Sequence, residues 1–298
     1  MSEFLQQLIN GLSLGSIYAL IALGYTMVYG ILKFINFAHG EVFMLGAFSG
    51  YYLAQLFGVD TSNLPMALII LLLTMIITAA IGVIIEKLAY RPLRRSSKLT
   101  VLITAIGVSL FLQYTGQLVF GAAPRSFPNI LEGYNFTFLG AQIDSNQIVV
   151  IVSSIVLMLG LRFIVMKTKI GTAIRAVSNN LTASSLMGIN IDTVISFTFV
   201  LGSSLAGAAG ILYSINYPSI DPLMGLLPGL KAFIAAVLGG IGNFPGAAIG
   251  GLVIGVVETL TVGYISPTFR DAVAFAILII ILIFKPTGIM GTKEIEKV

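Results

Sequence analysis

The sequence contains no cysteine, so disulfides and thiolate metal sites are excluded outright. Its single histidine, His39, rules out a multi-histidine metal site. Charge is scarce: Asp, Glu, Lys and Arg make up 9% of the 298 residues, where soluble domains carry about 25%. A chain so poor in charge cannot cover a water-facing surface. Apolar residues fill it instead, at 57% and a mean hydropathy of +1.01. That composition belongs to an integral membrane protein in a lipid bilayer. The net charge of +4 gathers in a few basic stretches, which report orientation in the bilayer and not nucleic-acid binding. The opening Met-Ser-Glu-Phe places an acid where a signal peptide needs a basic region, and the first apolar stretch is too long for one, so it reads as a retained helix.

A spanning helix needs about 20 mostly apolar residues. Charge-free runs of suitable length cover Phe4 to Leu32, Val42 to Val59, Thr61 to Ile85, Leu99 to Pro124, Ser145 to Leu161 and Thr193 to Ile220. Ala232 to Val257 follows, broken by Gly239 to Gly246, and Ala272 to Phe284 is last. The pattern predicts an all-α, polytopic helix bundle of about eight to nine membrane segments, some interrupted, forming one domain over residues 1–298. Lys87, Arg91, Arg94, Arg95 and Lys98 crowd one connector, and Arg162, Lys167, Lys169 and Arg175 another. Both are expected in the cytoplasm, with the Pro/Gly/Asn-rich stretch Gly121 to Asn146 outside. Lys285, Lys293 and Lys297 put the C-terminus inside, and nine segments put the N-terminus outside.

Small residues recur four apart: Gly11, Gly15 and Ala19; Gly202, Ala206 and Gly210; Gly246 and Gly250; Gly251 and Gly255. In lipid this spacing lets helix backbones approach, so it reads as packing. Gly240-x-Gly242 follows no predicted strand and is not a dinucleotide fingerprint, and no G-x-x-x-x-G-K-[ST] occurs. The H-x-E form of His39-Gly40-Glu41 lacks the cysteine pair that a zinc deaminase needs. Asn135-Phe136-Thr137 is a glycosylation sequon only in a secretory pathway.

Two interruptions of the apolar pattern carry more. One, Lys33 to Glu41, holds Asn36, His39 and Glu41; the other, Gly239 to Gly246, holds Asn243. Broken helices place free backbone groups where they line a cavity, although a plain cytoplasmic turn explains the first equally well. Glu41, Lys231 and Glu258 are the charges inside apolar runs. Each must face the bundle interior, water or a partner, or else sit at an interface. Antiparallel helical arms on either side of the second break would hold Lys231 and Glu258 at nearly equal depth, so the two are expected to pair. Asn36, His39, Glu41, Lys231, Asn243 and Glu258 are therefore the candidate translocation residues. The polar connector 166–192 is too long for a tight turn. Within it, Gly171 to Gly188 is expected to form a short surface helix with Ile174, Val177, Leu181 and Ser185 on one face, either a docking site for a soluble partner or an ordinary interfacial helix.

The motifs that follow resemble a known family. Ile35-Asn36-Phe37-Ala38-His39-Gly40-Glu41-Val42, Gly229-Leu230-Lys231-Ala232-Phe233, Tyr90-Arg91-Pro92, Leu186-Met187-Gly188-Ile189-Asn190 and Lys285-Pro286-Thr287-Gly288-Ile289 look like the signatures of LivH-type permeases. These are the membrane subunits of bacterial ABC importers for branched-chain amino acids. The likeness runs end to end and is weakest over Gly121 to Asn146. It implies a multi-pass permease of the bacterial cytoplasmic membrane that is not itself an enzyme and holds no cofactor. ATP would be bound by two cytoplasmic ATPase subunits. A second, related permease subunit and a periplasmic or lipid-anchored substrate-binding protein would complete the importer. The 166–192 connector would then be the coupling segment, with Arg175, Asn179, Asn180 and Gly188 at the ATPase contact. A urea or short-chain amide importer shares the signature. An ion-coupled secondary amino-acid carrier using Glu41 and Glu258 is the reading from another class, and a membrane-embedded enzyme is disfavoured by the single His, the absent Cys and the lack of a clustered acid pair.

Overall fold

The computed structural model describes residues 2–58, 63–94, 96–138 and 140–291. Val59, Thr61, Arg95, Lys293 and Lys297, named above, lie outside the described residues. Helix α1 spans Ser2–Leu32 and α2 His39–Leu56. Helix α3, Leu64–Ile85, runs on through a π turn at Glu86–Tyr90 and a 3-10 turn at Arg91–Leu93, and α4 covers Lys98–Phe120. Three short strands follow: β1 (Arg125–Ser126), β2 (Asn135–Phe138) and β3 (Ala141–Asp144). Then come α5 (Ser145–Lys167), α6 (Lys169–Asn179), α7 (Leu181–Leu186) and α8 (Ile191–Asn216). Strand β4 (Ser219–Ile220) leads to α9 (Leu226–Gly239), α10 (Phe244–Tyr264) and α11 (Arg270–Phe284). The fold is an all-α bundle trimmed by two antiparallel ribbons, β1–β4 and β2–β3.

Among the described residues seven helical segments are long and apolar enough to cross a membrane, the last of them Pro267–Phe284, a 3-10 turn at Pro267–Phe269 continued by α11. The more polar α2 and the 14-residue α9 complete the bundle. At 1.5 Å per residue α9 is only about 21 Å long, short of the roughly 30 Å hydrocarbon core. Helix α1 is the hub. Its side chains from Ser13 to Val28 are buried on every face, as expected of a helix apolar all round. Peripheral helices turn apolar side chains outward: Leu72 and Ile76 on α3, Phe111 and Leu118 on α4, Val156 on α5 and Ile283 on α11. In a bilayer, lipid covers such a face.

The four-residue spacing of small side chains is packing. Gly15 lies against Leu252, and Gly251 and Gly255 of α10 lie against Ala19 and Gly15 of α1. Gly24 meets Gly202, Gly210 meets Ala47, and Gly250 meets Ala235. A Cβ on Gly15 would fall 2.8 Å from the Leu252 Cα, so the helices could not stay this close.

Contacts sort the connections to two ends. At one, the Gln142 amide donates to Gln6 Oε1 at 2.8 Å, Gln147 donates to Asn10 at 2.8 Å, and Asn216 donates to Ser13 at 2.8 Å. The start of α1, the 121–146 stretch and the end of α8 therefore sit together. At the other, Tyr90 donates to Asn36 at 2.5 Å, and Arg94 reaches Asp192 at 2.6 Å. Both basic connectors are at that end, opposite the 121–146 stretch.

The connector after α5 differs from the single helix expected. Asn180 is extended, with φ −156° and ψ 107°, and its side chain accepts from the Ala183 amide, so it ends α6 and caps α7. Ile174 and Val177 are buried, but Leu181 and Ser185 are exposed; Ser184 is the buried residue of α7. The extended residue rotates the second helix, so the four positions do not share a face.

Candidate functional site

Lys231 on α9 and Glu258 on α10 meet in the interior, with Nζ 2.9 Å from Oε1, and both side chains are at least 97% buried. Antiparallel packing brings them together. Gly239 and Gly246 face each other beside the 240–243 turn, and Ala235 and Gly250 face each other one turn further on. Lys231 also pairs with Asp271 at 2.6 Å, and the Arg270 Nε donates to Glu258 Oε1. Tyr18, in the middle of α1, donates to Glu258 Oε2 at 3.0 Å. Two cations and two carboxylates thus balance within one cluster, as buried charge requires. The buried pair comes from α9 and α10. Its outer partners come from the first turn of α11, where the Arg270 and Asp271 side chains are 38% and 45% exposed.

Two clefts flank the cluster. One, of about 350 Å³, is lined by Gln7, Asn10, Gln147, Asn216, Glu258 and Arg270 among others. The second, of about 300 Å³, includes Tyr18, Tyr213, Asp221, Lys231, Arg270 and Asp271. Glu258 faces the first, Lys231 the second, and Arg270 borders both. The cluster is the wall between two polar spaces at the α1-start end of the bundle.

The first interruption is confined to 33–38, where Lys33 closes α1 with φ 55°. His39, Gly40 and Glu41 form the first turn of α2, which starts inside the protein without a side-chain cap. Helix α9 also starts uncapped, and Gly40 and Gly225 bring the two starts into backbone contact. His39 is buried, stacks edge-on against Tyr25 at 4.7 Å and bonds the Ile21 backbone. Asn36 is buried under the Tyr90 hydroxyl. Glu41 accepts from Ser109 of α4 at 3.2 Å through one oxygen. Among the described residues the other oxygen has no hydrogen-bond partner, nor has His39 Nε2. None of the three residues lines either cleft.

Asn243 lies at the opposite end from the charge cluster. Its Oδ1 accepts from the Gly246 amide at 3.0 Å and its Nδ2 donates to the Met290 carbonyl at 2.8 Å, so it starts α10 and pins the segment after α11. In the 168–190 connector, Arg175 folds back on the Val165 carbonyl and Asn179 donates to the Arg175 carbonyl at 3.1 Å. Gly188 takes φ 81°, the left-handed conformation that ends α7. Between them Leu186 and Met187 project almost fully into solvent.

Sequence reasoning missed several participants. Arg270 and Asp271 border the last apolar run and read as its flank. Tyr18 hides its hydroxyl in an apolar helix. Glu86, fully buried, accepts from Arg94 and from Ser196 at 2.7 Å, while Arg91 and Arg94 hold Asp192. This network ties the end of α3 to the start of α8. An acid directly after a charge-free run and beside a basic cluster was the signal available for it.

Residues 7–282 match the family described as "Branched-chain amino acid transport system / permease component". The chain is similar to the high-affinity branched-chain amino acid transport system permease protein BraD of Pseudomonas aeruginosa, at 46% identity over 99% of this chain and 98% of that one. Likeness to the permease protein LivH of the corresponding system is 46% in Salmonella typhimurium and 45% in Escherichia coli K12, each over 99% of this chain and 98% of the relative.

Proposed function

We propose, because this chain belongs to the family of branched-chain amino acid transport permease components, that it is the membrane-spanning permease subunit of an ATP-driven importer for leucine, isoleucine and valine. The observation that carries the route is the buried ion cluster standing between two polar clefts. Membrane interiors admit such charge only where it is paired or lines a pathway. Cargo would enter by the clefts beside Lys231 and Glu258. It would then pass the paired helix starts near Asn36, His39 and Glu41, toward the end marked by Asn243. The basic connectors support a cytoplasmic location for that end and for the C-terminus, with the N-terminus outside.

ATP would act from below, through two partner ATPases. Leu186 and Met187 are the apolar tip that such a partner could grip. Arg175, Asn179, Asn180 and Gly188 fix the shape of α6 and α7 behind it. A push there reaches Asp192 at the start of α8, and through Arg91, Arg94 and Glu86 it reaches α3. Rigid-body rocking of these helices would open one end as it closes the other. A second, related permease subunit and an external binding protein complete the assembly.

Reconstitution tests the reading. The chain, with its permease and ATPase partners and the binding protein, should take up leucine only with ATP inside the ATPase compartment and without a proton or sodium gradient. Uptake driven by an ion gradient in the absence of the ATPases would replace it with a secondary carrier.

A further inference from the structure

We infer that Lys231 and Glu258 form a docking pair for the two charged ends of a zwitterionic amino acid, and that Arg270 and Asp271 occupy this pair until cargo exchanges with them. The inference rests on the transport function proposed above. Each buried ion has two charged partners of different character. Lys231 holds Glu258 at 2.9 Å and Asp271 at 2.6 Å, and Glu258 holds Lys231 and Arg270. The buried pair is fixed in packed helices. Its outer partners are part-exposed side chains on one helical turn, so water can take up their charge when they leave.

An amino acid presents one ammonium and one carboxylate on a single carbon. Its ammonium replaces the Arg270 guanidinium on Glu258, and its carboxylate replaces that of Asp271 on Lys231. The cluster keeps its charge balance and no buried ion is stranded at any step, the condition that makes exchange cheap. A cation alone would displace Arg270 and an anion alone Asp271, each gaining one ion pair where the amino acid gains two, and an uncharged amide offers nothing to exchange. Arg270 borders both clefts, so its departure also joins them into one space. Leu223, Met224, Leu227 and Pro228 line the cleft on the Lys231 side and supply an apolar wall for an aliphatic side chain.

The chain has no cysteine, so single reporters are clean. Val262→Cys and Leu223→Cys place one in each cleft. The assembled importer in proteoliposomes, without ATP or binding protein, is labelled from outside with an impermeant maleimide. Millimolar leucine should change the labelling rate at both positions. Neither 4-methylpentanoate, which lacks the amine, nor 3-methylbutylamine, which lacks the carboxylate, should do so at the same concentration. Arg270→Gln with Asp271→Asn keeps the buried pair and removes its competitors, and should lower the leucine concentration for half effect about fivefold. Lys231→Met with Glu258→Gln should abolish the leucine effect. Labelling indifferent to leucine in an assembly that still imports leucine would overturn the exchange and leave the transport function standing. So would equal effects from either fragment, or a weaker leucine effect in the Arg270/Asp271 variant. An assembly that carries no branched-chain amino acid removes the transport reading and the exchange with it.

Discussion

Glu41 and Glu258 are both acids buried among apolar helices, and they are held in opposite ways. Glu258 receives Lys231, Arg270 and Tyr18, so both its oxygens are occupied and two of the donors carry charge. Glu41 receives the Ser109 hydroxyl on one oxygen, and among the described residues nothing bonds the other. It sits in the first turn of α2, where the helix dipole favours negative charge, with the start of α9, likewise without a side-chain cap, beside it. Two residues with the same claim on attention in the sequence therefore differ in what they contribute. One is the keystone of a balanced ion cluster, and the other retains spare bonding capacity at a junction of helix ends.

The comparison is sharpest where one partner is removed. Glu258→Gln leaves Lys231 with Asp271 alone and takes the carboxylate from Arg270, and should destabilise the protein by about 3 kcal/mol, as for other broken buried pairs. Thermal unfolding of the detergent-solubilised protein reads this. Lys231→Glu combined with Glu258→Lys should not recover the loss, because it sets a carboxylate against Asp271 and an ammonium against Arg270, whereas adding Arg270→Asp and Asp271→Arg should. If each single change is harmless, the cluster is not what holds these helices. Next comes Gly40→Val. A Cβ there would lie 2.6 Å from the Gly225 carbonyl oxygen and force the two helix starts apart, at a cost of about 1–3 kcal/mol typical of overpacking. Asn243→Ala tests a helix start that does have a cap, and should cost about 1–2 kcal/mol. Asn243→Asp retains the cap acceptor and should cost less. The smallest expected effect is that of Glu41→Gln. Ser109 can still donate to the amide carbonyl, so stability should move by less than about 1 kcal/mol, while ATP-driven uptake falls. A stability loss matching that of Glu258→Gln would erase the distinction between the two acids.

Much of this was legible beforehand. Charge-free runs located the long helices because lipid leaves few other places for twenty apolar residues. The pairing of Lys231 with Glu258 followed from equal spacing about one break. Other features depend on tertiary geometry. Asn180 divides α6 from α7 through a backbone conformation and a side-chain cap that periodicity does not encode. Arg270 and Asp271 looked like ordinary flanking charges because their partners are 12 and 40 residues away in the chain. The two interruptions differ in composition, the second being rich in Gly and Pro, yet both read as breaks in the apolar pattern. Only packing distinguishes the one whose helix start is buried and uncapped from the one that is a capped turn.

That capped turn sets an order of events. Ile289 donates to the Leu238 carbonyl at 2.7 Å, and Met290 donates to that of Gly239 at 3.0 Å. The end of α9 is thus completed by residues made about 50 positions later. At about 5–20 residues per second, the roughly 50 residues between them take some 3–10 s to synthesise. During that interval the α9–α10 hairpin lacks its final bonds. The segment after α11 therefore works as a closing stitch on the newborn hairpin. A ribosome that stops short of Ile289 would release α9 and α10 folded against each other with an unsecured seam.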